Sequence, residues 1–294
     1  MTHPLTHAPT PRRPRAQNAL LSALLPALLP ALLLAAALAP APAAAAPTPK
    51  GAAPATKGAP PRDTLREETL EGGIHVHLKG KAGSTHIWTP PGYDYHTAGA
   101  VIYVHGYNSS ADRAWREFQL PKQFSASRQN AMFIVPEAPK SKNDKVKWTA
   151  LTDLRRHIIQ HNVRVPGGHW VVVGHSGAYR TMTHWVDYSK VTEMILLDAL
   201  YSGQEEFTQF VEHPKGKRLI LISSDTSRAS KRFIERFPYA TLEPKMPDSY
   251  EGFSRRARRA KLLYIQSQFG HKAIVANRAV IPLLLRLTPL RLLP

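Results

Sequence analysis

Trp170-Val171-Val172-Val173-Gly174-His175-Ser176-Gly177-Ala178-Tyr179-Arg180 reads as a buried strand that stops at a serine on a sharp turn. Consecutive valines form a β-branched apolar run, the composition of a strand covered on both faces. Glycines flank the serine. A strand that turns at once into a helix crowds its own backbone, and small residues relieve that crowding. The turn also lifts the serine side chain clear of the sheet at the start of the next helix. This is the physical content of the G-x-S-x-G elbow pattern, with Ala178 in place of the last glycine. Taken alone, the pentapeptide also fits a plain Gly/Ser turn after an ordinary strand.

Working outward, further apolar runs recur on both sides. Ile74, Val76 and Leu78 alternate with His75, His77 and Lys79, a half-buried strand. Residues 85–89 are strand-like and stop at Pro90-Pro91-Gly92. Ala100-Val101-Ile102-Tyr103-Val104 and Met132-Phe133-Ile134-Val135 are buried strands, with helical spacing between them over Ala114–Phe124. Lys140 to Lys147 reads as a basic, mobile loop, and 149–162 as a helix entering the valine strand. Beyond the elbow the pattern is helix 179–188, strand 194–201, helix 204–212, strand 218–225, a polar stretch 226–260, strand 261–265 and a closing helix. Strands alternating with helices imply an α/β fold with a mostly parallel sheet and helices on both faces.

The run Pro90-Pro91-Gly92-Tyr93-Asp94, followed after a short gap by Val101-Ile102-Tyr103-Val104-His105-Gly106, resembles the opening of serine esterases of the α/β-hydrolase superfamily. The resemblance covers most of residues 85–275 and implies an α/β-hydrolase domain over 64–294 that cleaves carboxylic esters. It also implies that the His-Gly loop supplies one oxyanion-hole amide, that of Tyr107, with Asn108 as second choice; lipase-type members carry more glycines there. The other amide is that of Gly177. The superfamily's chain order is Ser, acid, His, each at the carboxyl end of a strand. Ser176 is then the nucleophile, and His271, behind the last strand and a glycine, the base.

Two aspartates compete for the acid; the reading takes Asp198, with Asp225 as the alternative. Asp225 follows the strand that most often carries it, although Ser223-Ser224-Asp225-Thr226-Ser227 also suits a turn and helix cap. Asp198 sits between Leu197 and Ala199, where a carboxylate is costly unless a hydrogen bond satisfies it, and a histidine N–H would do so. No metal or organic cofactor is expected, and 226–260 is too short for a large lid. Two other readings keep the fold: a peptide or amide hydrolase of cell-wall material with the same triad, and a catalytically silent protein binding an anionic envelope polymer.

The 294-residue chain carries 39 Lys and Arg against 21 Asp and Glu, a net charge of +18 at pH 7. That surplus favours anionic surroundings such as lipid headgroups, envelope polymers or nucleic acid. No zinc-finger, RNP or helix-turn-helix signature points to a specific nucleic-acid module. The dense run Arg255, Arg256, Arg258, Arg259 and Lys261 reads as a solvated helix face. Arg12, Arg13 and Arg15, the Ala/Leu-rich residues 19–39 and the small residues after them form a secretory signal over 1–45, with an uncleaved membrane anchor as the alternative. Pro/Ala-rich 46–63 reads as a linker. The chain has no cysteine, so its core must hold it without disulfides. His75 and His77 read as a solvated strand face, since no acidic or cysteine partner lies nearby in sequence. His157 and His161 have zincin spacing, but Ile158 stands where the glutamate is needed.

Overall fold

The computed structural model describes residues 64–294. The signal reading of 1–45 and the linker reading of 46–63 lie outside the described residues. The strands are β1 (Thr64–Leu70), β2 (Gly73–Gly80), β3 (Gly83–Thr89), β4 (Gly99–Val104), β5 (Ala131–Pro136), β6 (Trp170–His175), β7 (Val191–Leu197), β8 (Arg218–Ser223), β9 (Thr241–Glu243) and β10 (Leu262–Gln266). The helices are α1 (Ala111–Glu117), α2 (Leu120–Ser127), α3 (Leu151–Gln160), α4 (Tyr179–Met182), α5 (Gln204–Glu212), α6 (Ser227–Ile234), α7 (Arg255–Arg259), α8 (Ala273–Ala276) and α9 (Val280–Leu285).

All ten described strands join one sheet in the order β1-β2-β3-β5-β4-β6-β7-β8-β10-β9. The pairs β1–β2, β2–β3 and β3–β5 are antiparallel, and every later pair is parallel. The chain moves from β4 outward to β5, then crosses back to place β6 on the other flank of β4. Strand order therefore reverses at β4 and β6, and a crevice opens beyond the carboxyl ends of strands where that happens. The β4–β6 register, Val104 opposite Gly174, ends both strands at the same level. Gly106 and Ser176 are thereby brought to one point of the sheet edge.

Each central strand packs on both faces, as its apolar run requires. Ala100, Ile102, Val104, Trp170 and Val172 face a core completed by Leu154 and Ile158 of α3, Phe207 and Phe210 of α5 and Phe233 of α6. Val101, Tyr103, Val171 and Val173 face the opposite core, with Trp115 of α1, Phe124 of α2 and Ile281 and Leu284 of α9. The fold is the expected α/β arrangement with helices on both sheet faces. Among the described residues no helix is long and apolar enough to cross a membrane.

Several local readings are corrected. The helical spacing over Ala114–Phe124 is two helices, because Gln119 turns to φ 49° and Pro121 opens α2; proline is suited to a first turn and not to an interior. Asp198 stands just past β7 at φ 49°, not within the strand. The charged β1 was missed, as was three-residue β9. Both are sheet-edge strands, where charge and shortness discourage pairing with another chain and also hide the period-2 signal. The loop 140–147 is tied down rather than loose: Asp144 accepts from the Lys140 amide and the Ser141 hydroxyl, and Arg180 donates to the carbonyls of Ser141 and Asp144. His75 and His77 are not a solvated face. His75 is buried and His77 nearly so, under α1, with an acidic partner that the fold delivers from Asp112.

Candidate active site

Ser176 is held at φ 56°, a conformation seldom adopted by a residue with a side chain. The reason lies in its neighbours. A Cβ on Gly174 would fall 2.9 Å from the Ala178 Cβ and 2.1 Å from the Met182 sulfur, so the helix folds back directly over the strand end. Alanine at 178 keeps that packing. A Cβ on Gly177 would meet the Tyr107 ring at 2.6 Å, and one on Gly106 would lie 2.7 Å from the Ser176 Cβ. The β4 loop and the elbow thus interlock through glycines at 106 and 177.

His271 follows β10 and its ring is held from one side. Its Nδ1 donates to Asp198 Oδ2 at 2.7 Å. Its main-chain carbonyl accepts from His175 Nε2 at 3.1 Å. The elbow histidine is therefore a support for the loop that carries His271, a role the sequence did not suggest. Burial pushes the His175 pKa down to about 4, so it serves as a neutral donor.

Asp198 is fully buried and accepts from five donors. Besides His271 these are the amides of Ser224, Asp225 and Thr226, at 3.0, 3.0 and 2.9 Å, and the Thr226 hydroxyl at 2.7 Å. Burial alone raises its pKa. The hydrogen bonds from His271, from Thr226 and from the Asp225 amide outweigh that and hold the carboxyl well below its usual range. In turn the bond to Asp198 is the main influence raising the His271 pKa, against partial burial. Asp225 contributes its amide to Asp198; its own carboxylate is 59% exposed and 3.8 Å from His271 Nδ1. The structure brings Ser176, His271 and Asp198 to one edge and leaves the Asp225 carboxylate at the rim.

Of the two amides weighed beside Ser176, that of Asn108 is committed to the Lys140 carbonyl at 2.8 Å. Tyr107, packed on Gly177, remains. His105 lies beneath the loop: Nδ1 donates to the Gly106 carbonyl at 2.8 Å, and Nε2 accepts from the Ala138 amide at 2.9 Å. That pair of bonds selects one neutral tautomer.

Ser176 and His271 open into a cavity of about 390 Å³. Its far side is built by α1 and its neighbours: Phe118, Lys272, and the Arg113–Glu117 ion pair at 2.7 Å. Sequence reasoning missed these residues. Only the packing of α1 across the site reveals them, since an i, i+4 ion pair occurs on many exposed helices.

No family model matches the chain, and no curated protein matches it. Solved structures do. An S-formylglutathione hydrolase from Agrobacterium tumefaciens is 11% identical, with a TM-score of 0.44, covering 76% of this chain and 99% of its own. The feruloyl esterase module of Clostridium thermocellum, complexed with sinapinate, is 12% identical, with a TM-score of 0.49, covering 75% and 87%. An esterase from the archaeon Pyrobaculum calidifontis is 10% identical, with a TM-score of 0.43, covering 76% and 85%. The mixed sheet with its reversal at β4 and β6, its elbow after β6 and its helices on both faces is an α/β-hydrolase fold.

Proposed function

We propose that this chain is an exported serine hydrolase that cleaves carboxylic esters through Ser176, His271 and Asp198. One observation carries the reading. A serine at positive φ shares a cavity with a histidine whose Nδ1 is bonded at 2.7 Å to a buried carboxylate. A serine is a weak nucleophile until a base stands in reach and a third group orients that base. Asp198 keeps the proton on Nδ1, which leaves Nε2 to take the proton of Ser176 Oγ as the oxygen attacks the acyl carbon. The amides of Gly177 and Tyr107 face the developing oxyanion. His271 returns the proton to the leaving alcohol, then activates the water that releases the acyl group. Loss of one oxyanion donor costs on the order of a hundredfold or more in rate. Export rests on the signal reading of 1–45, whose removal takes three of the 39 Lys and Arg and none of the 21 acids, and the +15 that remains (36 − 21) suits an anionic envelope surface or a polymeric ester.

The test is labelling of the purified chain with a fluorophosphonate, beside Ser176→Ala and His271→Ala, followed by ester and amide substrates of short and long acyl length. Labelling of wild type alone and turnover of esters are the expected results. Turnover of amides only would transfer the reading to peptide or amide hydrolysis. A folded wild type that does not label would refute the enzyme and leave a binding protein.

A further inference from the structure

A second cluster of chemistry-bearing side chains lies under α1, outside the machinery described above. In the antiparallel β2–β3 pair His77 stands opposite His86, and His75 lies two residues from His77 on the same face. The His77 and His86 rings stack with centroids 4.1 Å apart, and Trp115 of α1 lies 4.8 Å from both His75 and His86. Asp112, one helical turn before Trp115, reaches into the same place. Its Oδ1 is 2.8 Å from His86 Nε2 and 3.0 Å from His77 Nε2. The ligand atoms of His77, His86 and Asp112 all lie within 4.8 Å of one another.

The hydrogen bonds behind these atoms set their direction. Glu68 Oε1 is 3.0 Å from His75 Nδ1, and His75 Nε2 is 3.0 Å from His86 Nδ1. A carboxylate only accepts, so His75 carries its proton on Nδ1 and accepts at Nε2 from His86 Nδ1–H. A neutral His86 is then left with a bare Nε2, aimed at Asp112 Oδ1, so that lone pair meets lone pair. His77 Nε2 is buried and close to the same oxygen, yet lacks the alignment of a hydrogen bond. Two ring nitrogens and one carboxylate oxygen therefore lie close together, and a single cation among them, a proton on an imidazole or a metal ion, relieves the opposed lone pairs.

We propose that His77 Nε2, His86 Nε2 and Asp112 Oδ1 bind one divalent cation of the zinc class. Zinc takes imidazole nitrogen and carboxylate oxygen at about 2.0–2.1 Å, which in a tetrahedron sets ligands about 3.3 Å apart. The observed 2.8 and 3.0 Å separations need a small expansion, and the His77 ring, stacked on His86 at 4.1 Å and 15°, must turn about its χ angles for its Nε2 lone pair to meet the same ion. Glu68 and His75 supply the outer bonds that orient a metal-bound histidine. The partly exposed sides of His77 and Asp112 leave a fourth position for water. The ion clamps α1 onto β2 and β3, and so steadies the helix that carries Arg113, Glu117 and Phe118 into the cavity. Its role is structural and independent of the esterase reading.

The experiment is titration of the untagged, chelator-stripped 294-residue chain with Zn2+ against a chromophoric chelator, with the thermal midpoint as a second readout. One Zn2+ per chain and a raised midpoint are expected. His77→Ala loses stoichiometric binding, and Asp112→Asn weakens it at least tenfold. Glu68→Gln alters a surface carboxylate and spares all three ligands, so it tests the site without threatening the fold; bonded to His75 and not to a ligand, it weakens binding several-fold, less than the roughly 10–100-fold of a ligand's direct partner. His271→Ala retains full binding, which separates this site from the Asp198 cluster. A folded wild type that takes up no Zn2+ overturns the proposal, as does unchanged affinity in Glu68→Gln, His77→Ala and Asp112→Asn.

Discussion

Asp198→Asn tests the catalytic reading at its most constrained atom. Asparagine has the shape of aspartate, but one of its two terminal atoms donates. Oδ1 of Asp198 receives the Ser224 and Thr226 amides and the Thr226 hydroxyl, whereas Oδ2 receives the Asp225 amide and His271 Nδ1. The amide oxygen of the variant will take the position with three donors. Its NH2 group then faces His271, and the imidazole turns to the tautomer protonated on Nε2. That nitrogen can no longer accept the serine proton. Loss of activity on the order of ten-thousandfold is expected, about 5 kcal/mol in the transition state. One buried donor left facing the Asp225 amide lowers stability by about 1–3 kcal/mol. The carboxylate of Asp198 is also the chief influence raising the His271 pKa. A base works only when neutral, so a raised pKa sets the acid limb of kcat/KM at higher pH, and its removal moves the limb to lower pH. The assay is kcat and kcat/KM on a short-chain nitrophenyl ester from pH 4 to 9, beside Asp225→Asn. Because the Asp225 carboxylate is 59% exposed, its pairing is worth at most about 1 kcal/mol, so that variant stays within about fivefold of wild type. A folded Asp198→Asn within tenfold of wild type, or a larger loss in Asp225→Asn, would refute the assignment.

Two further outcomes follow from packing and burial. Gly106→Ala places a Cβ 2.7 Å from the Ser176 Cβ and 2.9 Å from the His175 carbonyl; the elbow must shift, and kcat falls about a hundredfold while unfolding costs change by about 1–3 kcal/mol, measured by steady-state kinetics and urea denaturation. Glu193 is buried beside Arg218 at 3.9 Å, and burial pushes its carboxyl up to about 8 against the pull of that guanidinium. Between the ordinary carboxylate range and pH 8 the folded chain then holds a proton that the unfolded chain has lost, so stability declines as pH rises through that window. Glu193→Gln flattens that decline, and denaturation midpoints at pH 5 and pH 8 measure it; an equal decline in both proteins would assign it to other groups.

The sheet core and the serine elbow were legible because their causes are local. A β-branched run marks a buried strand wherever it sits, and small residues around Ser176 are needed by the turn itself. His271 could be placed from its position behind the last strand and a glycine, given the superfamily order. Asp198 was preferred to Asp225 only from its apolar neighbours in the chain; which of the two bonds His271 depends on which backbone amides converge on which carboxylate across β7 and β8. His75 and His77 of β2 were misread as a solvated face for the same reason. Asp112, the acidic partner of His77, is separated from it by two strands' worth of chain and meets it only once α1 lies across the sheet, while His75 pairs with Glu68 opposite it on β1. The sequence by itself therefore determined the α/β class and the turn at Ser176, which rest on neighbours along the chain. Only the tertiary structure decided which aspartate bonds His271, the walls of the cavity and the histidine cluster, because hydrogen bonds and burial between distant segments exist only after the chain has closed on itself.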